Sequence, residues 1–234
     1  EDGRVRYDLL RGPLRDDLRR VLKHVEEYDA TRLTGHAEQL TFWLNAYNVQ
    51  MLWHIVETPA VDDIVADGYA DAFFETPLRT AGLGLTLNEI ENVILRGEDG
   101  RAALAAYRLD RLDPRVHVGL NCAALACPPL PRAAFTPGTV DALLDAAFRA
   151  FVASPAHLRV EGDRVILSSI LDWYGGDFDR PGLAAGDYLL RAMPPSRPGY
   201  ARLRAVLAGR TAGQIRAHPA VTFAYDWRVN RASR

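Results

Sequence analysis

From Glu38 to Glu57 the chain reads EQLTFWLNAYNVQMLWHIVE, with apolar side chains on every helical face. An all-round apolar helix belongs in a core, so this segment is expected to be buried and central. Four polar residues interrupt it: Glu38, Thr41, Asn45 and Asn48 fall within about 80° of arc at 100° per residue. A narrow polar stripe on a buried helix must find hydrogen-bond partners, either in loops or in a ligand. Before it, Gly12-Pro13 opens a helix whose apolar stripe is Leu14, Leu18, Val21, Leu22, Val25 and Tyr28. Pro59 ends the central helix, and the chain to Gly84 reads as irregular.

Thr86-Leu-Asn-Glu89 is a capping box that starts a helix through Ile90, Val93 and Ile94, closed by Gly97. Glu89 is thereby accounted for; Glu91 is not. Val116, Val118 and Leu120 alternate with His117, Gly119 and Asn121, which reads as a short strand. Val140 to Val152 forms an amphipathic helix. Leu158 to Leu167 reads as a hairpin turning at Gly162-Asp163, and Ser169 and Asp172 suit a second capping box. Helices are expected around Leu183–Arg191 and Pro198–Ala208, and Val221, Phe223 and Tyr225 alternate as a last strand. The expectation is an α+β, predominantly helical single domain over residues 1–234. It carries a small, mainly antiparallel sheet and a buried central helix.

Composition narrows the chemistry. With 234 residues, 48% hydrophobic, the chain can fill one core. A net charge of -2 argues against nucleic acid as a partner. No apolar run of about 18 residues is present, so no membrane span is expected. Lys23 is the only lysine, which removes Walker, Schiff-base and Ser-Lys chemistry elsewhere. A small molecule or peptide is the partner class left open.

The chemistry then concentrates in RVHVGLNCAALACPPLP, Arg115 to Pro131, where both cysteines lie five residues apart. Asn121 suits a helix N-cap, which would set Cys122 at the first helical position, where the helix dipole favours thiolate. The leading reading is a thiol-dependent hydrolase or acyl transferase. Its nucleophile is Cys122 and its base His117, with Asn45 or Glu38 as orienting group. The Cys122 and Ala123 amides would form an oxyanion site. If strand alternation turns His117 away from Cys122, His157 or His54 must supply the base. The alternative is a non-catalytic binding module lined by the polar stripe and by an aromatic-acidic loop. Candidate binding residues are Gln39, Trp43, Asn48, Trp173, Tyr174, Asp177 and Asp226. A metal site on His117, Cys122 and Cys127 has too few ligands for structural zinc, so no metal and no cofactor are expected. A Cys122–Cys127 redox pair departs from the C-x-x-C spacing of thiol oxidoreductases.

Taken together, EQLTFWLNAYN, LTLNEIENVILR, DPRVHVGLNCAALACPPL, LSSILDWYGGDF and YDWRVN resemble the domain-of-unknown-function family number 547, from about Val5 to Asn230. The resemblance implies a bacterial protein, either cytoplasmic or exported after removal of a leader. It points to Gln39, Trp43, Asn45, Asn48, His117, Cys122, Cys127 and Asp226. It implies no activity. Relatives often carry serines where this chain has Ala124 and Ala126, and a His where it has Asn92.

Overall fold

The computed structural model describes residues 3–58, 61–66 and 69–232. The chain divides into two compact units. The first comprises residues 1–143 and 227–234, the second 144–226.

The first unit is built on helix α3, His36–Glu57. Leu40, Trp43, Leu44, Ala46, Tyr47, Met51 and Ile55 are all buried, as its uninterrupted apolar character requires. Its first turn is closed by Glu38, whose carboxylate accepts from the amides of Thr34 and Gly35. Its last turn is closed by Arg11, which donates to the carbonyls of Ile55, Val56 and Thr58. Arg11 belongs to a short helix, α1 (Tyr7–Arg11), which lies ahead of the first helix expected from the sequence. Gly12 and Pro13 break the chain between the two, and α2 runs Arg15–Glu27. On α2 only Leu18, Leu22 and Val25 are buried, while Leu14, Val21 and Tyr28 remain exposed. The apolar stripe is therefore wider than the face that packs.

The segment read as irregular holds α4 (Tyr69–Glu75) and an antiparallel hairpin, β1 (Leu78–Thr80) and β2 (Leu83–Leu85). Ala81 and Gly82 turn the hairpin with φ of 51° and 76°. An alanine in the left-handed region costs energy. It is held there because the two amides donate to the carbonyls of Val25 and Glu26 at the end of α2. Gln50, 1% exposed, ties α3 to the same hairpin through Arg79 O and Thr80 Oγ1.

The capping box at Thr86 and Glu89 forms as expected. The helix it starts is π-helical over Glu89–Leu95, with the Arg96 amide donating to Glu91 O five residues back. Gly97, at φ 75°, closes it. Residues 116–120 do not form a strand: Val116–Gly119 is a single helical turn, α5. Asp113 and Pro114 start it, with Asp113 accepting from the Arg115 amide. Val116, His117, Val118 and Gly119 are all buried, so no periodicity marked the turn as helical. α6, Val140–Ala153, matches the expected amphipathic helix.

The second unit carries a three-stranded sheet: β3 (Leu158–Glu161), β4 (Arg164–Ser168) and β5 (Val221–Ala224). β3 and β4 form the expected hairpin, with Gly162 at φ 56° in its turn. β5 pairs parallel to β4, a crossover that spans α7 (Ile170–Trp173), α8 (Ala185–Ala192), α9 (Tyr200–Leu207) and α10 (Ala212–Arg216). The Ser169–Asp172 capping box does not form. Asp172 instead accepts from Arg216 Nε at 2.6 Å. Arg197 is buried, and its guanidinium donates to the carbonyls of Val152 and Leu158. The positive charge thereby meets the negative end of α6. The architecture is α+β and mainly helical, with two small sheets among the described residues.

Candidate functional site

Residues 119–128 form a loop stitched to its surroundings by side-chain amides. Asn48, on α3, donates to Gly119 O and accepts from the Asn121 amide, both at 2.9 Å. Asn121 in turn accepts from the Ala123 amide at 2.9 Å and donates to Pro128 O at 2.8 Å. Asn230 donates to Asn121 Oδ1, and the buried Tyr7 hydroxyl donates to Asn230 Oδ1 at 2.7 Å. Burial pushes the Tyr7 phenol above its ordinary pKa, which keeps it a donor.

Asn121 therefore caps no helix. Its carboxamide closes a tight turn around Ala123, whose φ of 63° sends the chain away from helical geometry. Ala124 then bridges to Val229, and the Leu125 amide donates to Arg228 O. These pairings take the backbone groups a helix would have used. Cys122 consequently gains no helix dipole. It is joined to Cys127 in a disulfide with a Cα–Cα distance of 6.2 Å. The Cys122 amide donates to Cys127 Sγ at 2.8 Å, so neither it nor the Ala123 amide is presented to a substrate oxyanion. Cys122 is half-buried, whereas Cys127 is 9% exposed.

His117 is buried on α5, with Nδ1 3.8 Å from Glu91 Oε1. Glu91 sits in the π-helical segment and is itself buried. This carboxylate was the acidic residue the capping box left unexplained. The sequence signal for it was that lack of a structural job. Asn121, expected as a helix N-cap, belongs to the network instead, and Asn230 and Tyr7 are further members not singled out from the sequence. Asn230 comes from the far end of the chain, which no local pattern can reveal.

The remaining candidates separate. Glu38 is exposed and occupied as the cap of α3. Thr41 is buried, and its hydroxyl has no hydrogen-bond partner among the described residues. Asn45, half-buried, donates to Phe135 O and accepts from the Phe135 amide. The stripe is thus not uniformly buried: its two asparagines clamp loops, and its glutamate faces out. Gln39 donates to Leu33 O, and Trp43 is core, edge-on to Tyr107. His54 packs on Tyr69 and Phe73, and burial lowers its pKa. Trp173, Tyr174, Asp177 and Asp226 belong to the second unit, as does His157. His157 stacks on Phe151, and burial pushes its pKa down to about 4. Among the described residues, no three His, Cys, Asp or Glu side chains gather as metal ligands, and no helix is long and apolar enough to cross a membrane.

No curated protein and no solved structure matches the chain. A family model described as "Protein of unknown function, DUF547" matches residues 30–152. That span is about half of the chain, where the motif resemblance suggested nearly all of it. It takes in α3, Glu91, His117 and both cysteines, and ends before Trp173, Tyr174, Asp177 and Asp226. The chain accordingly belongs to the DUF547 family, whose model spans the loop closed by the two cysteines, the clamp Asn48 and the Glu91–His117 pair.

Proposed function

We propose that the reduced protein is a thiol-dependent hydrolase or acyl transferase, with Cys122 as nucleophile and His117 as base. Glu91 takes the orienting role first assigned to Asn45 or Glu38. The observation that carries the reading is the buried imidazole of His117 with Nδ1 turned to a buried carboxylate. Burying an imidazole and a carboxylate together is costly. Shortening that 3.8 Å approach to hydrogen-bond length in the working site would fix the tautomer and leave Nε2 to exchange a proton, as in Ser-His-Asp and Cys-His-Asn sites. Cys122 follows His117 by five residues and is the more exposed of the two cysteine residues. The disulfide favours the second reading, a binding module whose cysteines are structural.

Alkylation and acylation separate the two. The protein is reduced with a phosphine, its fold checked by circular dichroism, and it is treated with iodoacetamide across a pH series and with p-nitrophenyl acetate. The expectation is that Cys122 reacts at neutral pH about tenfold faster than Cys127. His117→Ala should move that profile to higher pH. Glu91→Gln should slow acylation while leaving the fold intact. If Cys127 reacts first, or neither thiol reacts without denaturant, the binding module is the correct reading.

A further inference from the structure

We propose that Cys122–Cys127 is a reversible couple, opened by a low-molecular-weight thiol that forms its mixed disulfide on Cys122. That this masks a nucleophile rests on the function proposed above; the exchange itself does not. Three features of the loop carry it. The two residues are unequally exposed, Cys122 half-buried and Cys127 nearly covered, and the couple assigns the attack of an incoming thiolate to Cys122. A donor already stands at the departing sulfur: the Cys122 amide points at Cys127 Sγ from 2.8 Å. That hydrogen bond strengthens as charge develops on Cys127.

The third feature is that the loop does not need the disulfide to stay closed. Asn121 brackets the two cysteines, holding the Ala123 amide with its oxygen and Pro128 O with its nitrogen. The Leu125 amide and Ala123 O are bonded to Arg228 and Asn230. After reduction these bonds keep the sulfurs adjacent, so the disulfide re-forms as an intramolecular step. The exchange is balanced as written. A thiolate R–S⁻ attacks Cys122 Sγ; the R–S–Cys122 bond forms as the Cys122–Cys127 bond breaks, and the electron pair leaves on Cys127 Sγ. A second thiolate attacks R–S–Cys122, releasing R–S–S–R and the Cys122 thiolate, and solvent protonates the products. Net, one protein disulfide is reduced and two thiols are oxidised.

The test uses the native protein and reduced glutathione. The mixture is quenched with N-ethylmaleimide, and each cysteine is assigned by peptide mass spectrometry. The expected result is glutathione on Cys122 and maleimide on Cys127, with adducts favouring Cys122 by about ten to one. With oxidised glutathione in place of the reduced form, Cys127→Ser should hold the adduct on Cys122, one glutathione thiolate leaving as the mixed disulfide forms, and Cys122→Ser should leave Cys127 unmodified. Removing glutathione and adding diamide should restore the disulfide without denaturant. Glutathione mainly on Cys127, or no exchange until the protein is unfolded, would overturn the couple. A parallel reaction with p-nitrophenyl acetate keeps the two proposals apart. Exchange on Cys122 with no acylation of the freed thiol leaves the couple standing and removes the hydrolase reading. Acylation that is equal in reduced and diamide-treated protein removes the masking.

Discussion

Replacing Asn48 by leucine tests whether the polar stripe of α3 is structural. The substitution keeps the branching at Cγ and removes two hydrogen bonds at once. It orphans the Gly119 carbonyl and the Asn121 amide, both in buried residues, with Asn48 itself 7% exposed. Each orphaned buried group costs about 1–3 kcal/mol, so the pair costs about 2–6 kcal/mol. Asn45→Leu makes the same two-bond change at Phe135, but on part-buried bonds that water can partly replace. It should cost about 1–3 kcal/mol. The assay is urea unfolding followed by tryptophan fluorescence; three of the four tryptophans, Trp43, Trp53 and Trp227, lie in the first unit. At an m-value of about 2 kcal/mol/M, a loss of about 4 kcal/mol moves the midpoint by about 2 M. A shift below about 0.5 M for Asn48→Leu, or a larger cost for Asn45→Leu, would refute the reasoning, because burial could then not be what sets the penalty.

Gly186→Ala should destabilise the second unit by about 3 kcal/mol or more. Its Cβ would stand 1.8 Å from Leu207 O, and backbone there cannot rotate aside. Gly213→Ala on α10 meets nothing within 4 Å and should instead stabilise slightly; thermal melts of the two variants check the contrast. His157 makes stability fall with acid. Burial pushes its folded pKa down to about 4 from 6.5, so between these values the unfolded chain takes up a proton that the folded one refuses. The loss begins near pH 6.5, is complete below about pH 4, and amounts to about 3 kcal/mol. Denaturation of the wild type and His157→Phe at pH 7 and pH 4 measures it, and equal pH dependence in the two would show that His157 is not the cause.

The amino-acid sequence by itself determined the elements whose signal is local. The buried helix α3 follows from apolar residues on every face, and α6 from its amphipathic period. The β3–β4 hairpin and the capping box at Thr86 follow from turn and cap chemistry within a few residues. It also drew attention to the cysteine segment and to Asn48, and left Glu91 without an assigned role. What only the tertiary structure decided lies where long-range partners outbid local preference. Asn121 is a good N-cap by residue type, yet Asn48, Asn230, Val229 and Arg228 engage the same stretch of backbone, and it closes a turn instead. α5 gave no helical period because all of it is buried. The Ala81-Gly82 turn lacks the usual Asn-Gly signal and is held open by carbonyls of α2. The pairing of His117 with Glu91, and of Asn121 with Asn230 more than a hundred residues away, are properties of the packed core. A local pattern can show that a polar residue needs a partner; only the folded chain says which one it receives.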